Sequence, residues 1–144
     1  MHGNDIPGTA GGFTMNQTPA PSQTLGLKLL NSPSWFSQPT LTGTFQSGAA
    51  FKVVMPGTLS LSLALTFRLA ATNPDGSAEQ VLGQTTQTLG LGLGPRTISI
   101  PVATPVSLAK QRLKLTISSS SSLNLNLQVG DSTFMEAAGF IGSP

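Results

Sequence analysis

A strict two-residue alternation runs through residues 58–72 and constrains the fold more than any other feature of this chain. The apolar positions are Leu59, Leu61, Leu63, Leu65, Phe67, Leu69 and Ala71. The positions between them carry Ser, Ala and Thr, together with Arg68. Because successive side chains of a β-strand point to opposite faces, this pattern predicts a long strand with one buried face. A helix would mix the two rows of side chains.

Seven further segments have strand-like patterns, and turn signals separate them. They span residues 25–30, 40–45, 50–55, 79–88, 97–102, 110–118 and 123–129. Residues 46–48 are expected to form a turn, residues 103–109 a crossing loop, and Asn73-Pro74-Asp75-Gly76 a hairpin turn. We find no helical period. The predicted fold class is therefore all-β: an antiparallel, jelly-roll-like β-sandwich of about eight strands.

The alternation within the later segments also predicts which side chains face the core. In residues 97–102 the inward positions are Ile98, Ile100 and Val102, and Pro101 indicates an edge strand or a bulge. In residues 110–118 the inward positions are Leu113, Leu115 and Ile117. Lys114 and Thr116 are expected to face outward.

The two ends of the chain lack this alternation. Residues 1–24 are rich in Gly and Pro, which oppose both helix and sheet, so we expect an extended arm. Its apolar residues are Ile6, Phe13 and Met15. Packing against a neighbouring subunit is one way to hold such an arm in place. The predicted sandwich covers residues 25–136, and residues 137–144 form a predicted C-terminal tail.

The chain carries unusually little charge. Charged residues make up 8% of its 144 residues, seven basic against five acidic, for a net charge of +2. The basic residues do not form the dense stripe that phosphate backbones need, so nucleic acid is not an expected partner. No run of about 18 apolar residues and no signal-peptide pattern occurs. We therefore expect no membrane-spanning segment, and we expect the chain to be made in the cytoplasm. A surface this poor in charge suits a protein whose faces are covered by partners, although a neutral, hydroxyl-rich secreted domain fits equally well.

Trp35 and Phe36 form the aromatic pair of interest beside the turn at Pro33. Two interpretations are open. The rings plug one end of the sandwich core, which is the more common role for such a pair. Alternatively, they stack on a sugar ring. The residue types alone do not exclude either role.

Catalytic and metal-binding patterns are not found. The chain has no Cys and one His, His2, and its acidic residues are Asp5, Asp75, Glu79, Asp131 and Glu136. A Ser-His-acid triad would need a histidine on the arm, so we expect no enzyme activity and no cofactor. Asp131 and Glu136, joined by Asn73 or Asp75, offer oxygen ligands for Ca²⁺, but ordinary turn residues are the simpler interpretation.

Several segments in fixed order resemble a known group of proteins. They are RLAAT (residues 68–72), the NPDG turn (73–76), VLGQTT (81–86), RTISIPV (96–102), QRLKLTI (111–117) and LNLNLQVGDST (123–133). This order of strands and turns, across residues 45–134, resembles the jelly-roll domains of tailed-phage structural proteins and related bacterial surface proteins. Members of that group include capsid decoration (cement) proteins, tail or fibre modules and carbohydrate-binding modules.

The resemblance implies a bacteriophage virion component. The main hypothesis is a capsid decoration protein, a homotrimer on the capsid surface that binds the major capsid protein lattice and stabilises it through contacts between subunits. The arm, with Ile6, Phe13 and Met15, would lie along a neighbour. The alternative is a carbohydrate- or receptor-binding β-sandwich module that uses Trp35 and Phe36.

Overall fold

The chain folds almost entirely into β-strands. The computed structural model describes residues 12–15, 23–28, 34–37, 40–55, 63–89, 96–102, 106–119, 124–129 and 134–143. Its strands are β1 (Gly12–Met15), β2 (Gln23–Lys28), β3 (Ser34–Ser37), β4 (Leu41–Met55), β5 (Leu63–Thr72), β6 (Gln80–Leu89), β7 (Arg96–Pro101), β8 (Val106–Ser118), β9 (Asn124–Val129) and β10 (Phe134–Ser143). Within these ranges no helix is present, and so none that could cross a membrane. The all-β prediction is confirmed.

Hydrogen bonding arranges the strands in two layers. The first layer has the order β1, β3, β8, β5, β6, and the second contains β10, β4 and β7. A separate two-stranded sheet pairs β2 with β9. All of these pairs are antiparallel except β1 with β3, which is parallel. This arrangement is consistent with the predicted antiparallel β-sandwich.

Strand β8 belongs to both layers and joins them. Its second half pairs with β3 and β5, whereas its first half pairs with β4. The switch falls near Lys110, whose φ of 49° lies in the left-handed region. The Lys110 N–H donates a hydrogen bond to Thr42 Oγ1 at 3.0 Å. A bend of this kind lets one strand turn a sandwich corner.

One continuous hydrophobic core lies between the layers, and both contribute to it. Its largest fully buried side chains are Trp35, Phe45, Phe67, Leu65, Leu69, Ile98, Ile100, Leu115, Ile117 and Val53. The predicted inward positions of β5, β7 and β8 are confirmed where the structure describes them. Residues 56–62, the first part of the predicted long strand, lie outside the described residues.

The predicted turn at residues 46–48 is wrong, because β4 continues through it from Leu41 to Met55. The polar and glycine residues there form a bulge instead. Phe45 pairs with Phe140 of β10, and Ala50 pairs with Ala138. Four residues of β4 thus stand opposite one residue of β10. The turn signal marks a true break in the ladder, but the strand resumes in the same direction.

In the predicted tail, residues 137–143 are part of β10, which extends to Ser143 and pairs along β4. The sequence of β10 has no clear alternation, so its conformation is set by hydrogen bonding to β4 and not by its own pattern. At the other end, the predicted arm contributes the strand β1 and the first residues of β2. The predicted loop at residues 103–109 is a strand from Val106 onward.

Thr116 lies on the side of the first layer that faces away from the core, as predicted, but it is only 5% exposed. There Thr116 Oγ1 and Ser34 Oγ form a hydrogen bond of 3.0 Å, which satisfies both hydroxyls without bulk water. Burial on this outer side follows from the addition of β3 beside β8, which single-strand alternation does not reveal.

Candidate functional site

The two aromatic residues of β3 are both buried. Trp35 has no exposed surface and belongs to the hydrophobic core. Phe36 points to the opposite face of the strand, as successive strand residues must, and is 4% exposed. The Lys114 ammonium lies 5.5 Å from the centroid of the Phe36 ring, a cation–π distance. Neither ring presents a free face on which a sugar could stack.

A bridge of charged residues lies on the same outer face as Phe36. Glu79 Oε1 accepts from Lys114 Nζ at 3.0 Å, and Glu79 Oε2 accepts from Arg68 Nη2 at 3.2 Å. We call Arg68, Glu79 and Lys114 the Glu79 bridge. It ties β5 and β8 to the residue just before β6. Because all three side chains are partly exposed, each pair contributes only about 0–1 kcal/mol.

The backbone just before Glu79 is held in an unusual conformation. Ala78 has a φ of 54°, in the left-handed region that non-glycine residues rarely occupy. This residue lies between the hairpin turn and β6. Arg68 Nε is buried and has no hydrogen-bond partner among the described residues. The Glu79 bridge is therefore an incomplete network, and its role is to join elements more than to add stability.

The predicted hairpin turn after β5 is present, and hydrogen bonds within the turn hold it. The Gly76 N–H donates to Asn73 O at 2.9 Å, and Gly76 has a φ of 86°, which glycine adopts without steric cost. The Asp75 carboxylate accepts from the Ser77 hydroxyl at 2.6 Å and from the Ser77 N–H at 3.0 Å. These two hydrogen bonds, the hydroxyl one first, lower the pKa of Asp75 below its usual 3.8.

Arg112 connects this turn to the end of β3. Its Nε donates to Pro74 O at 2.7 Å, and its Nη1 donates to Ser37 O at 2.8 Å. Together with the Glu79 bridge and Asp75, Arg112 brings to five the number of charged residues in this region, out of the twelve in the chain (seven basic and five acidic). Their hydrogen bonds and ion pairs are internal. The charge on this face therefore serves the fold.

The outer edge of the second layer, unlike the charged face just described, carries almost no charge. Strand β10 pairs with β4 and ends the strand order on that side, so its other edge has no partner among the described strands. We call residues Phe134–Ser143 the β10 edge. Glu136 is the one charged residue in its sequence, and neither Pro nor Lys occurs there. Ile141 is 63% exposed, the most exposed large apolar side chain in the described part of the chain.

Close packing fixes the β10 edge against β4. Gly43 and Gly142 are register partners, and the Phe140 ring covers both. A Cβ on Gly43 would lie 2.6 Å from the Gly142 Cα, closer than real Cβ contacts. The Phe45 and Phe140 rings pack at a centroid distance of 4.9 Å. The β10 edge is therefore held in a fixed, extended conformation at this end.

The arm residues are only partly described. Strand β1 places Phe13 in register with Trp35, and Met15 with Ser37. Ile6 lies outside the described residues. Within a single chain, then, this part of the arm pairs with its own β3. Whether it also contacts a neighbour, as the sequence analysis expects, stays a prediction.

Of the acidic residues named as calcium-ligand candidates, the structure describes Asp75 and Glu136, and it places them on different elements. Asp75 lies in the turn between β5 and β6, whereas Glu136 lies on β10 in register with Lys52 of β4. Asp131 lies outside the described residues. Among the residues that the structure describes, no group of three or more His, Cys, Asp or Glu is placed to hold a metal ion.

Sequence reasoning missed both the Glu79 bridge and the β10 edge. A signal for the bridge was available, because a hairpin at residues 73–76 brings the segment around Glu79 back alongside β5. For the β10 edge the signal is the scarcity of charge, with Glu136 as the one charged residue, and the lack of proline in residues 134–143. Because the side chains of this segment do not alternate, its sequence predicts a tail and not a strand.

Comparison with known proteins gives little further information. No protein-family model and no curated protein matches the chain. Among solved structures, one match is to a chain in the structure of infectious bursal disease virus, Gx strain. The identity is 15% and the TM-score 0.26, and the match covers 85% of this chain and 33% of the viral chain. This chain thus spans about a third of that chain. Similarity at this level does not establish a shared fold or function.

Proposed function

We propose that this protein is a non-enzymatic structural component of a virus particle, and that its function is to assemble with other subunits of that particle. In its specific form, the proposal is a capsid decoration protein that binds the major capsid protein lattice of a bacteriophage and reinforces it. The observation that carries the assembly role is the β10 edge, a ten-residue outer strand that contains neither Lys nor Pro and whose free side has no partner among the described strands.

Edge strands of monomeric proteins are normally blocked. Lysine, proline, short length or a covering loop prevents a second strand from adding to the free N–H and C=O groups. The β10 edge has ten residues, a single charge at Glu136 and an exposed Ile141. Such an edge supports strand addition or edge-to-edge packing with a partner. A protein that functions alone would be expected to protect it.

The distribution of charge supports the same proposal. Several of the few charged residues already have partners in the Glu79 bridge and around Arg112. Burying ions at an interface is costly unless each is paired there. A surface composed mainly of hydroxyl, amide and apolar groups avoids that cost. It can be covered by neighbouring subunits with little loss of ion hydration.

The finer parts of the proposal concern the arm and the oligomer. We infer a homotrimer on the outer surface of the capsid, with the arm of residues 1–24 along a neighbouring subunit. Many weak contacts of this type, repeated over a lattice, would sum by avidity. The carbohydrate-binding alternative relied on Trp35 and Phe36, which are buried, and no other observation favours it.

The test compares two matched substitutions. Ile141→Lys places a charge on the β10 edge, and Val81→Lys places one at a similarly exposed position, 51% exposed, on β6. Both should leave the melting temperature nearly unchanged. Only Ile141→Lys should abolish co-sedimentation with virus particles assembled without this protein. Equal co-sedimentation of both variants with the unmodified chain would contradict the role of the β10 edge.

A further inference from the structure

We propose that β1 is exchanged between copies of this chain, so that residues Gly12–Met15 of one copy pair with β3 of another. This inference rests on the proposed assembly function and names the acceptor for the arm. The partner is a second copy of the same chain, and the acceptor is the outer edge of β3.

The first argument is that β1 is a separable element. It has four residues and, among the described strands, pairs with β3 alone at the end of the first layer. A parallel ladder this short is weak, and parallel pairing is slightly less stable per residue than antiparallel pairing. The link between β1 and its own β3 can therefore open without disturbing the remaining strands.

The second argument is that β3 is a preformed acceptor. It is held by β8 on its other side through the register of Trp35 with Leu115. Two further hydrogen bonds fix its end: the Leu113 N–H donates to Ser37 Oγ at 2.8 Å, and Arg112 Nη1 donates to Ser37 O. None of these contacts involves β1. The outer edge of β3 thus stays in place whichever copy supplies the arm.

The third argument concerns the sequence between β1 and β2. These seven residues, 16–22, include Pro19 and Pro21. Proline disfavours compact conformations and favours extended ones of about 3.1 Å per residue, which corresponds to a reach of about 20 Å. Such a sequence favours an arm that projects from its own subunit. Exchange forms the same ladder as the closed monomer, so a high local concentration of copies shifts the balance toward it.

The absence of cysteine from the chain permits a direct test. Gly12 and Ser34 are register partners, at a separation that a disulfide can span. Two chains are co-expressed, one with Gly12→Cys and a size tag, the other with Ser34→Cys, and are oxidised with oxidised glutathione. A covalent dimer of one chain of each kind forms only where β1 of one copy lies on β3 of another. We expect this dimer as the main product on non-reducing denaturing electrophoresis.

Two controls make the result specific. Each single-cysteine chain expressed alone should give little covalent dimer. A pair of Gly12→Cys and Ser37→Cys chains should also give little, because position 37 lies three residues from the register partner, about 10 Å away. Disulfide formation that is equal in all pairs would show random collision and overturn the inference.

A third chain, with Gly12→Cys and Ser34→Cys together, separates the remaining outcomes. Closure within that chain, with no mixed dimer from the co-expressed pair, would overturn exchange. If neither the double-cysteine chain nor the co-expressed pair forms a disulfide, exchange is also overturned, because the β1–β3 ladder would then be absent. The closed monomer is next tested for co-sedimentation with particles. Binding by it would leave the proposed function intact, whereas failure of the unmodified chain to bind would contradict the function itself.

Discussion

At the scale of single residues, Trp35 is the side chain whose role the structure defines most clearly. It is fully buried at the junction of β3 with the core. Truncation of a large buried aromatic residue removes its contacts and leaves a cavity, which costs about 3–5 kcal/mol. We therefore expect Trp35→Ala to lower the free energy of unfolding by about that amount, as measured by urea denaturation.

The control for Trp35 is Val81→Ala, at an exposed position. It should change stability by less than about 0.5 kcal/mol. A role of Trp35 in glycan binding makes the opposite prediction, with stability preserved and retention on a glycan array lost. A Trp35→Ala protein that unfolds at the same urea concentration as the unmodified chain would refute the core assignment.

Gly83 is a second residue whose role the structure defines, because the space around it admits glycine but not a larger side chain. A Cβ at this position of β6 would overlap the Pro101 carbonyl oxygen of β7 and lie 3.2 Å from Ile100 Cγ2. The two strands belong to different layers, so Gly83 permits the layers to approach at this edge. Because the obstacle is backbone, relief requires a shift of the strand.

We expect Gly83→Ala to destabilise the protein by about 1–3 kcal/mol, the usual cost of overpacking. The measurement is thermal or urea unfolding, and the matched control is Gln84→Ala, the exposed neighbour on the same strand. Alanine is otherwise the more favourable residue in a strand, by about 0.5–1 kcal/mol over glycine. An unchanged or raised melting temperature would show that β6 and β7 do not approach as closely as described.

At the scale of elements, Arg112 links three parts of the fold. It lies on β8 and donates to carbonyl groups of the β5–β6 turn and of β3. Hydrogen bonds from a charged donor contribute about 1.5–3 kcal/mol, so Arg112→Ala should lower stability by that order. Arg112→Lys should recover only part of the loss, since an ammonium cannot reproduce the spacing of a guanidinium fork. Urea unfolding of the three proteins tests this, and full rescue by lysine would show that only the charge matters.

The elements also show what alternation can and cannot predict. Strand β5 follows from its sequence because one face is buried along its described length, with Leu65, Phe67 and Leu69 fully enclosed. The hairpin after it follows from turn chemistry that is local to four residues. Strand β10 does not follow, because its conformation depends on hydrogen bonding to β4, whose register partners lie at least 80 positions away in sequence. The switch of β8 between layers at Lys110 is likewise a property of two distant partners.

The same limit applies to the candidate site. The low charge of the chain is visible in the sequence, but it fits a protein covered by partners and a neutral secreted domain equally well. The location of the β10 edge is not visible, since an edge is defined by which strands pair and which do not. The burial of Phe36 depends on β3 lying beside β8. Lys114 above its ring adds a contact that local pattern does not encode.

At the scale of the whole molecule, the two proposed contacts, the β10 edge and the exchanged β1, belong to different layers. The β10 edge ends the second layer, and β3 with β1 ends the first. Two separate contacts per subunit allow a protein to bind both its own copies and a lattice. They also predict that the two functions can be separated by mutation, because distant sites act nearly independently.

Removal of residues 1–15 tests this separation. The truncated chain keeps β2 and every strand to which the described core residues belong, so it should unfold cooperatively at a slightly lower temperature. It should lose the oligomer, because β1 is the proposed link between copies, and its mass by light scattering should be that of a monomer. A full-length chain with Phe13→Ser and Met15→Ser, which retains the backbone of β1, should weaken the oligomer less than the deletion does.

The truncated chain should also retain a measurable affinity for particles through the β10 edge, although weaker than that of the oligomer, because avidity is lost. Adding Ile141→Lys to the truncation should remove this remaining binding. A truncated chain that stays oligomeric would instead assign the contact between copies to the β10 edge. In that case Ile141→Lys in the full-length chain would produce monomers, and the arm would be left as the element that contacts the lattice.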